Sequence, residues 1–204
     1  MRSCIVLLDK TKEYNWAFKR MIDKSPCELM IDTLKKAEID SVYVVYGQKL
    51  NIKGAKVVDD LGEAIKDINN IDVEILLLED VYPDLRVNTV KALYDDKYKR
   101  IKGTRNIKLH IKDLANIAHI EFIDVRCDDK ELFTVETKES FNEYKDNLRK
   151  SIIKKHVAAG VNIIDENNVY IGNSVKIGKG STIEPNVCLF EDTTIGENTM
   201  ISSG

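Results

Sequence analysis

Four cysteines and three histidines (Cys4, Cys27, Cys127, Cys188, His110, His119 and His156) are the residues best suited by type to ligate a soft metal or to pair a nucleophile with a base. Their spacing gives no support to that chemistry. The cysteines lie far apart with no C-x-x-C pair, and no spacing among the seven matches a metal-ligand pattern. Cys4 and Cys188 sit in strand-like surroundings, so the cysteines read as buried free thiols of a reducing compartment, the cytoplasm. Composition narrows the field further. A hydrophobic share of 43% beside 32% charged residues describes a soluble protein, and a net charge of −3 gives no electrostatic reason to expect nucleic acid. No apolar run reaches membrane-spanning length, and Met1-Arg2-Ser3-Cys4 leads into a short strand-like run rather than a secretory signal.

The elements carry more information than these side chains. From Val169 onward, Ile171, Ile177, Ile183, Leu189, Ile195 and Ile201 stand six residues apart in one phase. Two places before each stands Val169, Val175, Ser181, Val187, Thr193 or Thr199, all small or β-branched, and Gly172, Gly178 and Gly196 follow three of the aliphatics. This is the hexapeptide signature of a parallel β-helix: each hexad forms one flat face, three make a coil, and the aliphatics stack inside. Six hexads predict two coils over 169–204, ending at Ser202-Ser203-Gly204 without a capping element, as a truncated chain would.

Before the repeat, apolar runs alternate with helical stripes. Cys4–Leu8, Ser41–Gly47 and Val73–Leu78 read as strands, and the first is apolar throughout, as a parallel strand covered on both faces would be. Pro26 opens a helix with a stripe of Leu29, Met30, Thr33, Leu34 and Ala37, and short helices are expected over 61–68 and 88–94. The order predicts βαβ units in a mainly parallel sheet. The stretch from Lys97 to Lys112 is basic and poorly patterned; Ile107, Leu109 and Ile111 alternate as in an exposed strand, and 120–125 suggests another. Thr137 can cap a helix with a buried stripe of Phe141, Tyr144, Leu148 and Ile152. Its other face, with Lys138, Glu143, Lys145, Asp146, Arg149 and Lys150, reads as solvated, and Gly160 ends it. The expected domains are therefore 1–136 (α/β), 137–159 (a connecting helix) and 160–204 (the first coils).

This order resembles the bifunctional N-acetylglucosamine-1-phosphate uridyltransferase and glucosamine-1-phosphate acetyltransferase family, which makes UDP-N-acetylglucosamine in bacteria. Gly160-Val161-Asn162-Ile163-Ile164-Asp165, running into Val169-Tyr170-Ile171-Gly172, is similar to the family's G-V-T-x-x-D-P junction before its first coil. The segment from Asp128-Asp129 through Val135 to Phe141 resembles the one ending in G-V-N-N-R, Leu61-Gly62 resembles the L-G-T-G-H turn, and Leu76–Val81 resembles the strand ending in G-D-V-P. The likeness covers nearly the whole chain and is tight from about Leu132 onward. It implies a Rossmann-like nucleotidyltransferase-type parallel sheet followed by a left-handed parallel β-helix, a cytoplasmic location, and homotrimers through the coils. It also implies Lys19 at the phosphate-contacting lysine, Asp80 at a Mg²⁺-holding carboxylate, and Glu136 where the family has an asparagine as second metal ligand. A carboxylate there is still a hard oxygen donor.

The departures fall on the chemistry. In the family, the first strand runs into a glycine loop that cradles nucleotide phosphates, with an arginine. Here Leu7-Leu8-Asp9-Lys10-Thr11-Lys12-Glu13-Tyr14-Asn15 holds neither, and Asp9 and Glu13 place carboxylates near a triphosphate. Gly103-Thr104-Arg105 lies in the basic stretch, follows no expected strand, and is not that loop. The interval from Asp80 to Glu136 is about half that of the family, so the wall that recognises the acetamido sugar is missing or rebuilt. Acetyl transfer would need coils beyond Gly204. Three readings follow: a relative by descent with an inactive uridyltransferase domain; an active Mg²⁺-dependent sugar-1-phosphate nucleotidyltransferase that binds a nucleotide and a sugar phosphate; or a non-enzymatic module that trimerises. UTP-dependent pyrophosphate release separates the second from the other two.

Overall fold

The computed structural model describes residues 2–9, 15–48, 50–70, 72–95 and 98–203. Lys10–Tyr14, and with them the expectation for Glu13, lie outside the described residues, as do Lys97 and Gly204. The chain forms two compact units, one of Met1–Phe18 with Pro26–Glu136 and the other of Lys19–Ser25 with Thr137–Gly204.

The first unit is built on a seven-stranded sheet in the order β3-β2-β1-β4-β6-β5-β7. Its parallel half is β1 (Arg2–Leu7), β2 (Ser41–Val45), β3 (Lys56–Val58) and β4 (Glu74–Leu78). Helix α1 (Asn15–Phe18) and α2 (Pro26–Lys36) follow β1, α3 (Leu61–Ile68) precedes β4, and α4 (Val87–Tyr94) follows it. Met30 and Leu34 of α2 pack with Val90 and Leu93 of α4 on one face of the sheet, while Ala64 and Ile68 of α3 pack on the other. With both faces covered, Cys4, Ile5 and Val6 of β1 are completely buried, as their unbroken apolar run requires.

The sheet is mainly parallel, as the alternation of strands and helices predicts, but one strand is reversed and makes it mixed. β6 (Ile107–His110) runs antiparallel to both β4 and β5 (Lys99–Ile101), and β7 (Ile123–Val125) pairs parallel to β5 at the edge. β6 is also not the exposed strand expected: Ile107, Leu109 and Ile111 are buried. Its basic character misleads because Lys108 is itself fully buried. The Lys108 ammonium donates to Glu74 of β4 at 2.7 Å and sits 5.8 Å from the Tyr94 ring centroid, so a partner on the adjacent strand offsets part of the cost of burying the charge. A 3-10 stretch (Ile111–His119) and a 3-10 turn (Asp129–Leu132) complete the unit.

In the second unit, α5 (Lys138–Ala158) starts at a capping box in which Thr137 and Ser140 exchange side-chain and backbone bonds. It stops at Gly160, whose φ of +89° is open to glycine. There Gly160 N–H reaches Val157 O at 3.0 Å and Val161 N–H reaches His156 O at 3.1 Å, a Schellman close. The expected solvated face of α5 holds with one exception. Arg149 is buried, its guanidinium donating to the Glu166 carbonyl and lying 5.9 Å from the Tyr170 ring centroid.

Beyond Gly160 the chain lays down two-residue strands: β8 (Asn162–Ile163), β9 (Tyr170–Ile171), β10 (Lys176–Ile177), β11 (Thr182–Ile183), β12 (Cys188–Leu189), β13 (Thr194–Ile195) and β14 (Met200–Ile201). They form three small parallel sheets, β8-β11-β14, β9-β12 and β10-β13. Ile171, Ile183, Leu189 and Ile195 are buried, but Ile177 and Ile201 are only half-buried. Ile183 has Ile163 and Ile201 on its two sides, and Ile171 has Leu189 together with α5. Ile177 pairs with Ile195 alone. The alternation that turns Leu189 inward turns Cys188 outward, so Cys188 is exposed, against the expectation of a buried thiol. Burial raises the pKa of Cys27, with a smaller contribution from Glu28, to about 12, and burial pushes Cys4 up further.

Candidate functional site

The order β3-β2-β1-β4 means that the chain leaves β1 toward one edge of the sheet and returns with β4 on the other side of it. Helices on opposite faces diverge at such a reversal, and the crevice beyond the strands' carboxyl ends is where open α/β sheets take ligands. Asp9 stands just past the end of β1 and Asp80 just past the end of β4. Asp9 is exposed; Asp80 is buried at 7% exposure, and its Oδ1 accepts the N–H of Val81 at 2.7 Å.

The loop carrying Asp80 is fixed from several directions. Asn106, fully buried in the turn between β5 and β6, accepts the Glu79 N–H on its side-chain oxygen at 2.9 Å and donates from its amide to Tyr82 Oη at 3.2 Å. Tyr82 N–H points at the sulfur of Met30 on α2, 3.2 Å away, and Arg105 pairs loosely with Glu79 at 3.7 Å. The sequence reading set aside Gly103-Thr104-Arg105 and missed Asn106. A glycine followed by polar residues between two strands is the turn signal that could have drawn attention there.

A second buried carboxylate was also missed. Glu131 lies at 3% exposure and accepts the Arg86 N–H at 3.1 Å and the Thr89 hydroxyl at 2.6 Å. Arg86 precedes α4 and has no side-chain cap of its own, so Glu131 caps that helix from a distant segment. Arg86 also reaches Asp128 at 3.2 Å. The Lys130 N–H, and then the Arg86 charge, hold the Asp128 carboxyl below its usual range. Its partners Arg86, Thr89 and Asp128 are themselves parts of the scaffold, which marks Glu131 as a staple.

Of the residues expected to act together, Asp80 and Glu136 belong to the first unit and Lys19 to the second. Glu136 is exposed and accepts the Thr134 hydroxyl at 3.2 Å. Lys19 is exposed, with its ammonium 5.8 Å from the Phe141 ring centroid at the start of α5. Among the described residues, no group of three or more His, Cys, Asp and Glu side chains gathers as a metal site. No described helix is long and apolar enough to cross a membrane.

No family model matches the chain. Individual relatives do. It is 35% identical over 72 residues to the bifunctional protein GlmU of Alkaliphilus metalliredigens, covering 35% of this chain and 16% of that one. It is 31% identical over 142 residues to GlmU of Thermosipho africanus, covering 70% and 29% respectively. Against GlmU of Thermodesulfovibrio yellowstonii the identity is 23% over 192 residues, covering 90% and 42%. The chain thus spans less than half the length of these relatives, and its similarity to GlmU proteins is what the comparisons establish.

Proposed function

We propose that this chain is a GlmU-related protein of UDP-N-acetylglucosamine biosynthesis by descent. In this reading its α/β unit keeps the metal-holding carboxylate of a sugar-1-phosphate nucleotidyltransferase but no longer transfers uridylyl groups. Its hexads open the left-handed parallel β-helix of an acetyltransferase. The observation that carries the reading is the place of Asp80, buried beyond β4 at the sheet's reversal. Asp80 and Glu136 are the residues that would hold Mg²⁺; two hard carboxylates with no soft donor suit that ion, which takes few protein ligands and completes its shell with water and phosphate. When bound, Mg²⁺ supplies neutralisation of charge on phosphate oxygens. Lys19 is assigned to phosphate by resemblance alone.

The proposed loss of transfer rests on the segment from Leu7 to Asn15, which holds no glycine and no arginine. A backbone without glycine approaches a pyrophosphate less closely, and no arginine is there to offset charge on the transferred group. Calorimetry with UTP and Mg²⁺ should therefore show nothing tighter than about millimolar binding, near −4 kcal/mol, and no UTP-dependent release of pyrophosphate. A micromolar heat signal abolished in Asp80→Ala, with pyrophosphate release, would restore the active enzyme.

The parallel pairing of residues 18 apart, such as Lys176 with Thr194 and Thr182 with Met200, supports the β-helix half of the proposal. Coils of this kind bury a face only against a neighbour, and the proposed assembly is a homotrimer through them. Sedimentation that gives a tight dimer independent of the coils would remove it.

A further inference from the structure

We propose that Asn106 is a positioning residue for the carboxylate of Asp80, setting the loop that presents it to a divalent cation. This rests on the reading that Asp80 is a cation ligand. The last rung of the β4-β6 ladder is Leu77 with Ile107. One step on, the backbone of Asn106 is already spent in its own turn: its N–H donates to Thr104 Oγ1 at 3.0 Å, and its carbonyl accepts from Ile101 at 2.9 Å. In this register the N–H of Glu79 falls opposite Arg105, past the end of the ladder. The Asn106 side chain takes it, with Oδ1 receiving that N–H and the amide NH₂ reaching forward to Tyr82 Oη.

One primary amide thereby bridges the residue before Asp80 and the residue two places after it. With a donor on one arm and an acceptor on the other, Asn fits this bridge where Leu, of similar size, does not. Because Asn106 is fully buried, both bonds are shielded from bulk water, and removing the side chain takes this partner from the Glu79 N–H and the Tyr82 hydroxyl. Asp80 Oδ1 meanwhile is committed to the Val81 N–H, so the carboxylate follows the loop backbone. Fixing residues 79 to 82 therefore helps to fix the direction of the acid. Magnesium and manganese tolerate little distortion of their octahedral shell, so a displaced carboxylate costs affinity without any change of donor.

The test uses the whole chain and Mn²⁺ alone, read by the electron paramagnetic resonance of free and bound ion. Wild type should bind Mn²⁺, and Asp80→Ala should abolish binding. Asn106→Ala should weaken it about tenfold and broaden the bound-ion spectrum. Asn106→Asp keeps the acceptor for Glu79 and lets the Tyr82 hydroxyl rotate to donate, so it should recover to within about threefold of wild type. Tyr82→Phe, which deletes one arm only, should weaken binding about threefold and serves if Asn106→Ala does not fold. Wild-type affinity and spectrum in Asn106→Ala, or in Tyr82→Phe should that variant be needed, would overturn the positioning role while leaving Asp80 as a ligand. Failure of wild type itself to bind Mn²⁺ would remove the reading of Asp80, and this inference with it.

Discussion

The carboxylate of Asp23 accepts the backbone N–H of Asn173 at 2.9 Å, across 150 residues of sequence. Asp23 lies in the Lys19–Ser25 segment, which the reading along the chain keeps with the first domain but which joins the second unit in the structure. It is buried there, and Arg20 and Lys24 lie 3.7 and 3.6 Å from Glu191 on the same unit. The two ion pairs add little beside a buried carboxylate on a backbone donor.

This contact makes Gly172 and Asp23 a coupled pair. A Cβ on Gly172 would stand 2.6 Å from Asp23 Oδ2. Asp23→Ala should cost the second unit about 1–2 kcal/mol by leaving the Asn173 N–H without its partner. Gly172→Ala should cost about 1–3 kcal/mol in the wild-type background and clearly less beside Asp23→Ala, since the obstructing carboxylate is gone. A double-mutant cycle by urea unfolding checks this; strict additivity would mean that the two residues do not touch.

Stacking sets a gradient of sensitivity along the hexads. Ile183 is fully buried between Ile163 and Ile201, so Ile183→Asp places an unpaired carboxylate inside the stack and should cost about 3 kcal/mol or more. Ile177, half-buried against Ile195 alone, should lose about 1–2 kcal/mol on the same change. Thermal melts of the two variants should keep this order, and equal shifts would place the register in error.

His156 supplies a pH dependence. It is buried near the end of α5, and burial, with the neighbouring Lys155 charge second, lowers its pKa from 6.5. The folded state therefore prefers the neutral ring, and the unfolded chain takes up the proton first. Its contribution to stability is complete above about pH 6.5, declines as the pH falls below that value, and stops changing below the folded pKa. Urea midpoints between about pH 5.5 and 7.5 should rise with pH, and His156→Gln should flatten part of that slope. An unchanged slope in the variant would assign the effect to other groups.

The sequence by itself determined what repeats or caps locally. The phase of Ile171, Ile183, Leu189 and Ile195 was readable because every hexad solves the same packing problem, so the period states the answer several times. The Thr137 cap, the stop at Gly160 and the helix over 61–68 were readable because each depends on residues within a few positions. Asp80 at a strand end was readable for the same reason, since the apolar run before it is complete in itself. Only the tertiary structure decided what depends on a distant partner. Lys108 looks like a solvated cation until Glu74 is placed on the adjacent strand, and that pairing makes β6 an interior, antiparallel strand. Arg149 is buried because the Glu166 carbonyl meets it. Asn106 becomes a clamp, and Glu131 a helix cap, only when strands and turns far apart in the chain are brought side by side. Local periodicity records which face a residue turns inward, whereas the hydrogen-bond partner waiting there is fixed by the topology of the sheet.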